Sequence, residues 1–301
     1  MSQRILITGT NGLLGSKLVR LLTKNGTDFL ATSRGANRFT SLEFPYRELD
    51  IVNETEVYSV VSEYRPDVII NCAAYTQVDA CEDDRENCYA LNVRAVRNLA
   101  RSAEEFQSHL IHLSTDFIFN GHDGPYREDA KADPLGYYGQ TKLQSEELLS
   151  KSSCPYTILR TSIVYGYEPH ISRNNMILWL RQSFRDQKAV NIVDDQYRCI
   201  TWAEDLADLC TAVAQSGKTG IYNATGKEYM SMLELAYRMA DYYGAPRSLI
   251  HPIKTKDLGQ KANRPPKTEM IIDKAQKDLN YTPHSLEEAL DQIEELIKSE
   301  N

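Results

Sequence analysis

The hexapeptide YYGQTK at residues 137–142 contains two side-chain types that suit proton transfer, a tyrosine and a lysine. On a helix, residues four apart lie on one face, so Tyr138 would stand beside Lys142 and Tyr137 beside Thr141. An ammonium close to a phenol stabilises the tyrosinate and prepares the phenol for general acid catalysis near neutral pH. The same spacing also occurs by chance at the start of an ordinary helix, so it needs support from the rest of the chain.

A glycine-rich stretch, ITGTNGLLG, follows the first apolar run and opens an amphipathic segment. The first glycine of such a turn permits a tight bend, the second lets the backbone approach a pyrophosphate, and the third allows close helix–sheet packing. The spacing is GxxGxxG, and an ordinary strand–helix turn is the alternative. The context favours a dinucleotide site formed by Gly9, Thr10, Asn11, Gly12, Leu13, Leu14 and Gly15.

The end of the second strand indicates which nicotinamide cofactor would bind. NAD-specific sites place an acidic residue there for the ribose 2′-hydroxyl, whereas NADP-specific sites supply a cation for the 2′-phosphate. The segment ATSRGANR offers Ser33, Arg34 and Arg38, with no carboxylate until Glu43. An arginine can bind a phosphate through two hydrogen bonds, so the cofactor is predicted to be NADP(H). The alternative is that both arginines are solvated loop charges.

The elements that would position these residues alternate over the first 166 residues. The short apolar runs RILITG, DFLATS, DVIINCAA, HLIHLS and YTILRTSIVYG are typical of buried strands. Between them lie LLGSKLVRLLTKNG, ETEVYSVVSEY, ENCYALNVRAVRNLARSAEEF and GQTKLQSEELLSKS, which carry apolar residues at helical spacing. This alternation predicts an α/β fold with a Rossmann-like, doubly wound parallel sheet.

The pattern loosens after Gly166. Helices are predicted near 174–186, 203–216, 231–243 and 285–298, short strands at 189–193 and 220–224, and a loop at 255–269. We therefore expect an NADP-binding Rossmann domain with the catalytic residues at 1–166. Residues 167–301 should form mainly a smaller substrate-binding lobe, with some chain crossing back to the sheet.

Composition narrows the class of protein. The 301-residue chain has a net charge of -8, which argues against a nucleic-acid partner. It has no apolar run long enough for a membrane span, and its N-terminus enters a strand-like run without room for a signal peptide. The six cysteines form no CxxC pair, and no histidine cluster has metal-ligand spacing. We expect a cytoplasmic protein with reduced thiols and no metal in the catalytic site.

Several motifs together carry a family resemblance. The segments TGTNGLLG, NCAAYTQVDACE, HLSTDFIFNG, YYGQTK and ILRTSIVYG, in this order, resemble the extended short-chain dehydrogenase/reductases, and most of all the dTDP-4-dehydrorhamnose reductase family. The strand end Ser114–Thr115–Asp116, followed by Phe117, Phe119 and Gly121, and the PYRE loop at 125–128 carry the likeness. The C-terminal segments DDQYRCIT and NRPPKTEMIIDKAQKDL extend it over nearly the whole chain.

The resemblance implies a role for each matching residue. Thr115 would bind the substrate carbonyl, Tyr138 would donate the proton, Lys142 would hold the nicotinamide ribose, and Asn92 would support the lysine through water. Asp50 and Ile51 would border the adenine. The strand end lining the cofactor would be Ala73, Ala74 and Tyr75, and the sugar pocket would include Thr76, Val78 and Asp116.

Two departures from the family pattern lie on the substrate side. Ile163 stands where a tryptophan is frequent, and residues 197–201 replace the usual Gly-x-Pro-Thr. Arg198 and Arg264 are candidates for contacts with a diphosphate, although either could equally be a surface charge. Phe117 occupies the place of the acid/base glutamate of sugar 4,6-dehydratases, so dehydration is disfavoured.

The resulting hypothesis is NADPH-dependent reduction of the 4-keto group of a nucleotide-linked 6-deoxy sugar. The resemblance points first to dTDP-4-dehydro-L-rhamnose as the substrate, and a homodimer is one assembly it allows. Two alternatives stay open. One is a non-catalytic NADP-binding regulatory subunit similar to the methionine adenosyltransferase β subunit, which shares these motifs. The other is a nucleotide-sugar epimerase.

Overall fold

The computed structural model describes residues 3–39, 42–171 and 175–299. Its strands are β1 (Ile5–Thr8), β2 (Phe29–Ser33), β3 (Tyr46–Glu48), β4 (Val68–Asn71), β5 (His109–Thr115), β6 (Tyr156–Thr161), β7 (Val164–Tyr165), β8 (Val190–Val193), β9 (Tyr197–Cys199), β10 (Thr201–Trp202), β11 (Gly220–Asn223), β12 (Tyr229–Ser231), β13 (Ile250–Ile253) and β14 (Lys267–Thr268). Its α-helices are α1 (Leu13–Lys24), α2 (Glu54–Tyr64), α3 (Val78–Asp83), α4 (Arg85–Tyr89), α5 (Ala95–Phe106), α6 (Tyr137–Ser150), α7 (Met176–Arg185), α8 (Ala203–Ser216), α9 (Met232–Tyr243), α10 (Asp273–Leu279) and α11 (Leu286–Ser299).

The central sheet has seven strands in the order β11-β6-β5-β4-β1-β2-β3, and all of its pairings are parallel. The strand order reverses between β1 and β4, which is where a doubly wound sheet opens a crevice at the carboxyl ends of its strands. The predicted Rossmann-like fold is confirmed. The candidates of the glycine turn, and those at Ser33, Ala73 and Thr115, lie at the ends of β1, β2, β4 and β5 and therefore at this edge.

Helices cover both faces of the sheet because its strands are apolar on both sides. Buried residues of α1, α8 and α10 pack on one face, and those of α2, α5 and α6 pack on the other. A separate apolar core joins α7, α9 and α11 beyond the sheet. This second core belongs to the smaller lobe, which also contains the three-stranded sheet β12-β9-β14 and the pair β13-β8.

The chain crosses back to the central sheet after residue 166, because β11 pairs with β6 and α8 packs beside α1. The division at 166 and 167 stays a prediction. Short elements escaped the sequence patterns: β3 has three residues, and α3 and α10 have six and seven. The predicted loop 255–269 contains a 3₁₀ turn and β14. Position 174 of the predicted helix 174–186 lies outside the described residues, and α7 begins at Met176.

The helix predicted from residue 86 to 106 contains an irregularity. A π-helical turn at Ala90–Arg94 separates α4 from α5. Such single turns are rare and are frequent at functional sites, and this one carries the candidate Asn92. Within the described part of the chain, no helix is both long and apolar enough to cross a membrane. All six cysteines are free thiols.

Candidate active site

The turn between β1 and α1 holds the three glycines, and two of them are closely packed. Gly9 has φ +74°, and a Cβ there would lie 2.7 Å from Ala73 N. A Cβ on Gly15 would lie 2.5 Å from Gly9 O, so both positions require glycine. At Gly12 the nearest atom to an added Cβ is Gly9 O at 3.2 Å. The outer side of Gly12 is therefore open to a ligand.

The first turn of α1 offers an unopposed positive helix end at Gly12. Gly12 is the N-cap, no side chain caps the helix, and its first turn contains no acidic residue. The N–H groups of such a turn lack helical partners, and the helix dipole favours an anion there. Leu13 and Leu14 provide those N–H groups. A helix end of this kind can hold a pyrophosphate, and the cofactor contacts of these residues stay a prediction.

The candidate NADP-selective residues lie on a loop that is tied to the glycine turn. Asn11 Nδ2 donates to Ala36 O at 3.0 Å, and Arg38 N donates to Asn11 Oδ1 at 3.1 Å. Thr10 Oγ1 donates to Thr32 O next to Ser33, at 3.1 Å. In the described part of the chain, the exposed guanidinium groups of Arg34 and Arg38 form no ion pair. Arg38 is linked to the glycine turn through Asn11, and Arg34 lies on the same loop directly after β2, so both are available to a phosphate.

One carboxylate near this loop was missed by the sequence pattern. Glu48, at the end of β3, accepts a hydrogen bond from Gly35 N at 3.1 Å through Oε1. It reaches the loop because β3 pairs with β2, where Ser33 lies opposite Glu48. The sequence pattern does not predict β3, and the contact depends on that strand. Its backbone partner occupies one oxygen without neutralising the carboxylate.

The remaining cofactor candidates also occupy strand ends at the carboxyl edge. Asp50 and Ile51 follow β3, and Ala73, Ala74 and Tyr75 follow β4. Asn92 fixes the latter loop, because its Oδ1 accepts from Tyr75 N at 2.8 Å and its Nδ2 donates to Tyr75 O at 3.2 Å. The π-helical turn thus anchors the loop after β4. The water-mediated link from Asn92 to Lys142 stays a prediction.

Thr115 and Tyr138 are brought together at the end of β5. Thr115 lies near enough to lower the pKa of Tyr138. Thr115 Oγ1 also donates to Asp116 Oδ1 at 3.2 Å and accepts from Phe117 N at 3.2 Å. The rings of Phe117 and Tyr138 meet edge to face with centroids 5.8 Å apart. The predicted oxyanion donor and proton donor are therefore neighbours.

Gly139 makes this proximity possible, and it was missed as a functional residue. A Cβ on Gly139 would lie far inside van der Waals distance of Phe117 O and 3.0 Å from Pro134 Cβ. Only glycine lets α6 approach the 3₁₀ turn Asp116–Ile118 this closely. The glycine between Tyr138 and Lys142 in YYGQTK was the available signal.

Lys142 is buried, with 2% of its surface exposed. Its Nζ donates to Leu113 O at 2.6 Å and lies 3.1 Å from His112 Nε2. Burial lowers the pKa of Lys142 from its ordinary value to about 8, an effect that Glu146 and Cys88 oppose. The lysine therefore changes its protonation state only slightly above neutral pH.

The expected lowering of the Tyr138 pKa by Lys142 is not found in this structure. Burial raises the pKa of Tyr138, its hydrogen bond with Thr115 lowers it, and the Asp116 carboxylate raises it. The physical reason is desolvation of the phenolate among packed side chains. Tyr138 is thus held protonated, which is the form that a proton donor needs.

Three of the candidate sugar-binding residues line a cleft of about 730 Å³ beside α3. Thr76, Val78 and Arg264 contribute to it, and Asp79 closes one side. Arg264 donates to both Asp79 oxygens, at 3.0 and 2.8 Å. A diphosphate would have to share or displace this carboxylate, so the proposed role of Arg264 stays a prediction. No group of three or more His, Cys, Asp or Glu side chains among the described residues is placed to hold a metal.

Asp116 and Arg198 lie in the protein interior, exposed by 2% and 1%. Asp116 Oδ2 accepts from Ser162 Oγ at 3.1 Å and Thr268 Oγ1 at 2.5 Å, and lies 3.5 Å from Arg198 Nε. Arg198 also donates to the backbone oxygens of residues 197, 265 and 266. These donors are engaged within the protein, so the sugar and diphosphate contacts of this pair stay predictions.

The chain has the fold of the extended short-chain dehydrogenase/reductases. Its parallel Rossmann sheet carries an open glycine turn and a Thr/Tyr/Lys group at the carboxyl edge. The family model described as RmlD substrate binding domain matches residues 3–298. The chain belongs to this family, which confirms the resemblance inferred from its motifs.

Individual relatives agree with this assignment. The chain is 33% identical to the dTDP-4-dehydrorhamnose reductase of Aggregatibacter actinomycetemcomitans, covering 96% of this chain and 98% of that protein. It is 32% identical to methionine adenosyltransferase 2 subunit beta of Xenopus laevis, covering 86% of this chain and 77% of that protein. The crystal structure of dTDP-4-dehydrorhamnose reductase from Bacillus anthracis in complex with NADP superposes with a TM-score of 0.85 at 28% identity, covering 97% and 99% of the two chains.

Proposed function

We propose that this chain is an NADPH-dependent oxidoreductase that reduces the 4-keto group of dTDP-4-dehydro-L-rhamnose to give dTDP-L-rhamnose. The observation that carries the proposal is that Thr115, at the end of β5, and Tyr138, on α6, lie next to each other, with Lys142 one helical turn further on. The full-length similarity to dTDP-4-dehydrorhamnose reductases and to an NADP complex supports it.

NADPH, when bound, supplies the hydride that reduces the carbonyl carbon. Gly12, Leu13 and Leu14 would hold its pyrophosphate at the open helix end, and Arg34 and Arg38 would hold its 2′-phosphate. These residues keep the cofactor at the carboxyl edge of the sheet, where the catalytic side chains stand. They perform binding and orientation and take no part in proton transfer.

Reduction also requires a proton on the carbonyl oxygen and stabilisation of the charge that develops there. Tyr138 O–H donates that proton, since its raised pKa keeps it protonated at neutral pH. Thr115 Oγ–H turns from Asp116 Oδ1 to the carbonyl oxygen and acts as a preplaced donor to the oxyanion. Lys142 stands one helical turn from Tyr138 and provides positive charge when the phenolate forms.

The direct test follows loss of reduced nicotinamide absorbance with NADPH and dTDP-4-dehydro-L-rhamnose. Tyr138→Phe should reduce kcat by about a hundredfold or more, the loss typical of a missing general acid. Tyr137→Phe is the matched control, because Tyr137 stacks under Arg85, with Arg85 Cζ 4.8 Å from its ring centroid, and lacks the Thr115 partner. Its kcat should stay near the wild-type value. Full activity of Tyr138→Phe would remove Tyr138 from the mechanism.

A second candidate is a non-catalytic regulatory subunit, favoured by the 32% identity to methionine adenosyltransferase 2 subunit beta. That candidate predicts NADP binding without turnover and stable co-elution with a methionine adenosyltransferase catalytic subunit. An epimerase would convert the sugar without net consumption of NADPH. The same assay, followed by product analysis, separates the three functions.

The location and assembly expected from the sequence are also part of the proposal. We infer a cytoplasmic enzyme whose partner is its nucleotide-sugar substrate, and we infer a homodimer as its assembly. Cell fractionation tests the location. Light scattering on the purified chain tests the assembly, and a mass of one chain at working concentration would refute the dimer.

A further inference from the structure

A line of polar side chains crosses the central strands just beneath the cofactor edge. The strand register places Thr8 opposite Asn71, and Asn71 opposite His112. Thr8 Oγ1 donates to Asn71 Oδ1 at 2.7 Å, and Asn71 Nδ2 lies 3.1 Å from His112 Nδ1. The line ends at Lys142, whose Nζ is 3.1 Å from His112 Nε2. All four side chains are buried.

The hydrogen bonds of Asn71 determine which nitrogen of His112 carries the proton. Asn71 Oδ1 accepts from Thr8 Oγ1 and from Ala73 N, at 3.3 Å, so its amide nitrogen must face His112. His112 Nδ1 therefore accepts a hydrogen bond, and the single proton of the neutral ring is on Nε2. Burial and the nearby Lys142 ammonium hold the pKa of His112 well below its ordinary value, so the ring is neutral.

The Nε2 proton already has an acceptor. Ser145 Oγ lies 3.1 Å from His112 Nε2, and its own hydroxyl donates to Lys142 O at 2.6 Å. Ser145 thus receives the Nε2–H. His112 consequently has no lone pair for Lys142, and the imidazole N–H presents its positive end to the ammonium. Among the described residues, Lys142 Nζ has one acceptor, Leu113 O.

Resting on the proposed function, we propose that His112 is a positioning residue for Lys142. Its tautomer, fixed by Asn71 and Ser145, denies the lysine a second acceptor inside the sheet. The remaining ammonium N–H groups stay available to the cofactor ribose, and the lysine holds its own proton more weakly. Asn92 makes no direct hydrogen bond with Lys142, because its amide donates to Tyr75 O and to Thr141 Oγ1, the latter at 3.1 Å.

Other charged groups around Lys142 do not account for a weakly held proton. Glu146 on α6 and Cys88 on α4 both raise the pKa of Lys142, against the effect of burial. Glu146 is also paired with Arg160, whose Nη2 lies 2.7 Å from Oε2. The geometry adds the N–H dipole of His112, whose Nε2 lies 3.1 Å from Lys142 Nζ, on the same side as burial.

The test compares His112→Asn with His109→Asn. An asparagine at 112 keeps an acceptor near the Nδ1 position for Asn71 and removes Nε2–H. His109 lies on the same strand, is similarly buried and bonds Thr157 Oγ1 at 2.8 Å, so its replacement controls for loss of a buried imidazole. NADPH affinity is measured from pH 6 to pH 10 by the fluorescence of the reduced nicotinamide, which requires no turnover.

Wild-type affinity should fall as the pH rises through the Lys142 pKa of about 8. In His112→Asn the pH at which NADPH affinity falls (the alkaline limb of the binding profile) should be higher by about half a pH unit or more, since the opposing N–H dipole is gone. His109→Asn should leave it in place. A flat wild-type profile, an unmoved limb in His112→Asn, or an equal shift in His109→Asn overturns the proposal.

A second variant decides the question if His112→Asn does not fold. In Asn71→Asp the carboxylate accepts from the imidazole, which moves the proton to Nδ1 and gives Nε2 a lone pair for Lys142. The limb should again move to higher pH, and an unmoved limb overturns the proposal. A wild-type protein that shows the pH-dependent binding but reduces no keto sugar refutes the proposed function alone.

Discussion

Gly139→Ala tests whether the close approach of α6 to the end of β5 sets the catalytic geometry. The added methyl would overlap Phe117 O and contact Pro134 Cβ at 3.0 Å. Carbon atoms pack favourably near 3.5–4.0 Å, so the helix start must withdraw by about 1 Å. Tyr138 precedes Gly139 and moves with it. A displacement of about 1 Å at a reacting group can cost about a hundredfold in rate.

The assay measures kcat for NADPH oxidation together with thermal unfolding. We expect kcat to fall by about a hundredfold, and the stability by about 1–3 kcal/mol, the usual cost of overpacking. Gln140→Ala is the control, because Gln140 is exposed on the same helix and alanine suits its interior. If Gly139→Ala unfolds earlier yet retains wild-type kcat, the position of α6 does not limit catalysis.

Three further predictions concern the cofactor and the buried charges. Replacing Arg34 and Arg38 together by alanine should reduce the preference for NADPH over NADH by about tenfold or more, since each change removes a charge-assisted hydrogen bond to the 2′-phosphate. The preference is measured as the ratio of the two kcat/KM values, and an unchanged ratio would show that neither arginine binds the phosphate. Lys142→Met should be more stable than the wild type below pH 8, because burial penalises the charged form of the lysine and lowers its pKa to about 8. The difference in unfolding free energy should shrink as the pH rises from about 8 towards 10.5, where the folded wild type holds a neutral lysine. Denaturant unfolding at pH 7 and pH 10 measures this difference, and a constant value contradicts the assigned protonation. Asp116→Ala should cost about 3–5 kcal/mol of unfolding free energy by leaving the buried Arg198 cation without its carboxylate, and a loss below about 1 kcal/mol, typical of an exposed pair, would refute the buried linkage.

The central sheet could be predicted from the sequence because parallel strands that are buried on both faces consist of continuous apolar runs. Helix α2 begins and ends where the pattern indicated, with Asn53 as its N-cap. Strand β3 (Tyr46–Glu48) escaped because three residues of mixed polarity have no usable periodicity. The π-helical turn at Ala90–Arg94 escaped because apolar spacing cannot distinguish one extra residue within a continuous helix.

The residues of the candidate site also fall into a group that the sequence predicts and a group that it does not. Residues next to a strand end could be anticipated, since parallel strands direct their carboxyl ends to one edge. Contacts that join distant segments could not. Glu48 depends on an unpredicted strand pairing, Gly139 on how closely a helix approaches a turn, and His112 on the register of three strands. In each case the missing information was a distance across the fold rather than a residue type.

Asp116 shows how such a distance changes the meaning of a motif. One carboxylate oxygen accepts from Thr115, whose hydroxyl is the proposed oxyanion donor, and the other accepts from Thr268 of the C-terminal region. Arg198, 3.5 Å from that second oxygen, adds backbone contacts to residues 265 and 266. Asp116 therefore joins the smaller lobe to Thr115. A displacement of β14 against β5 would strain the Thr268–Asp116–Thr115 hydrogen bonds, so a movement of the smaller lobe would reach the Thr115 side chain.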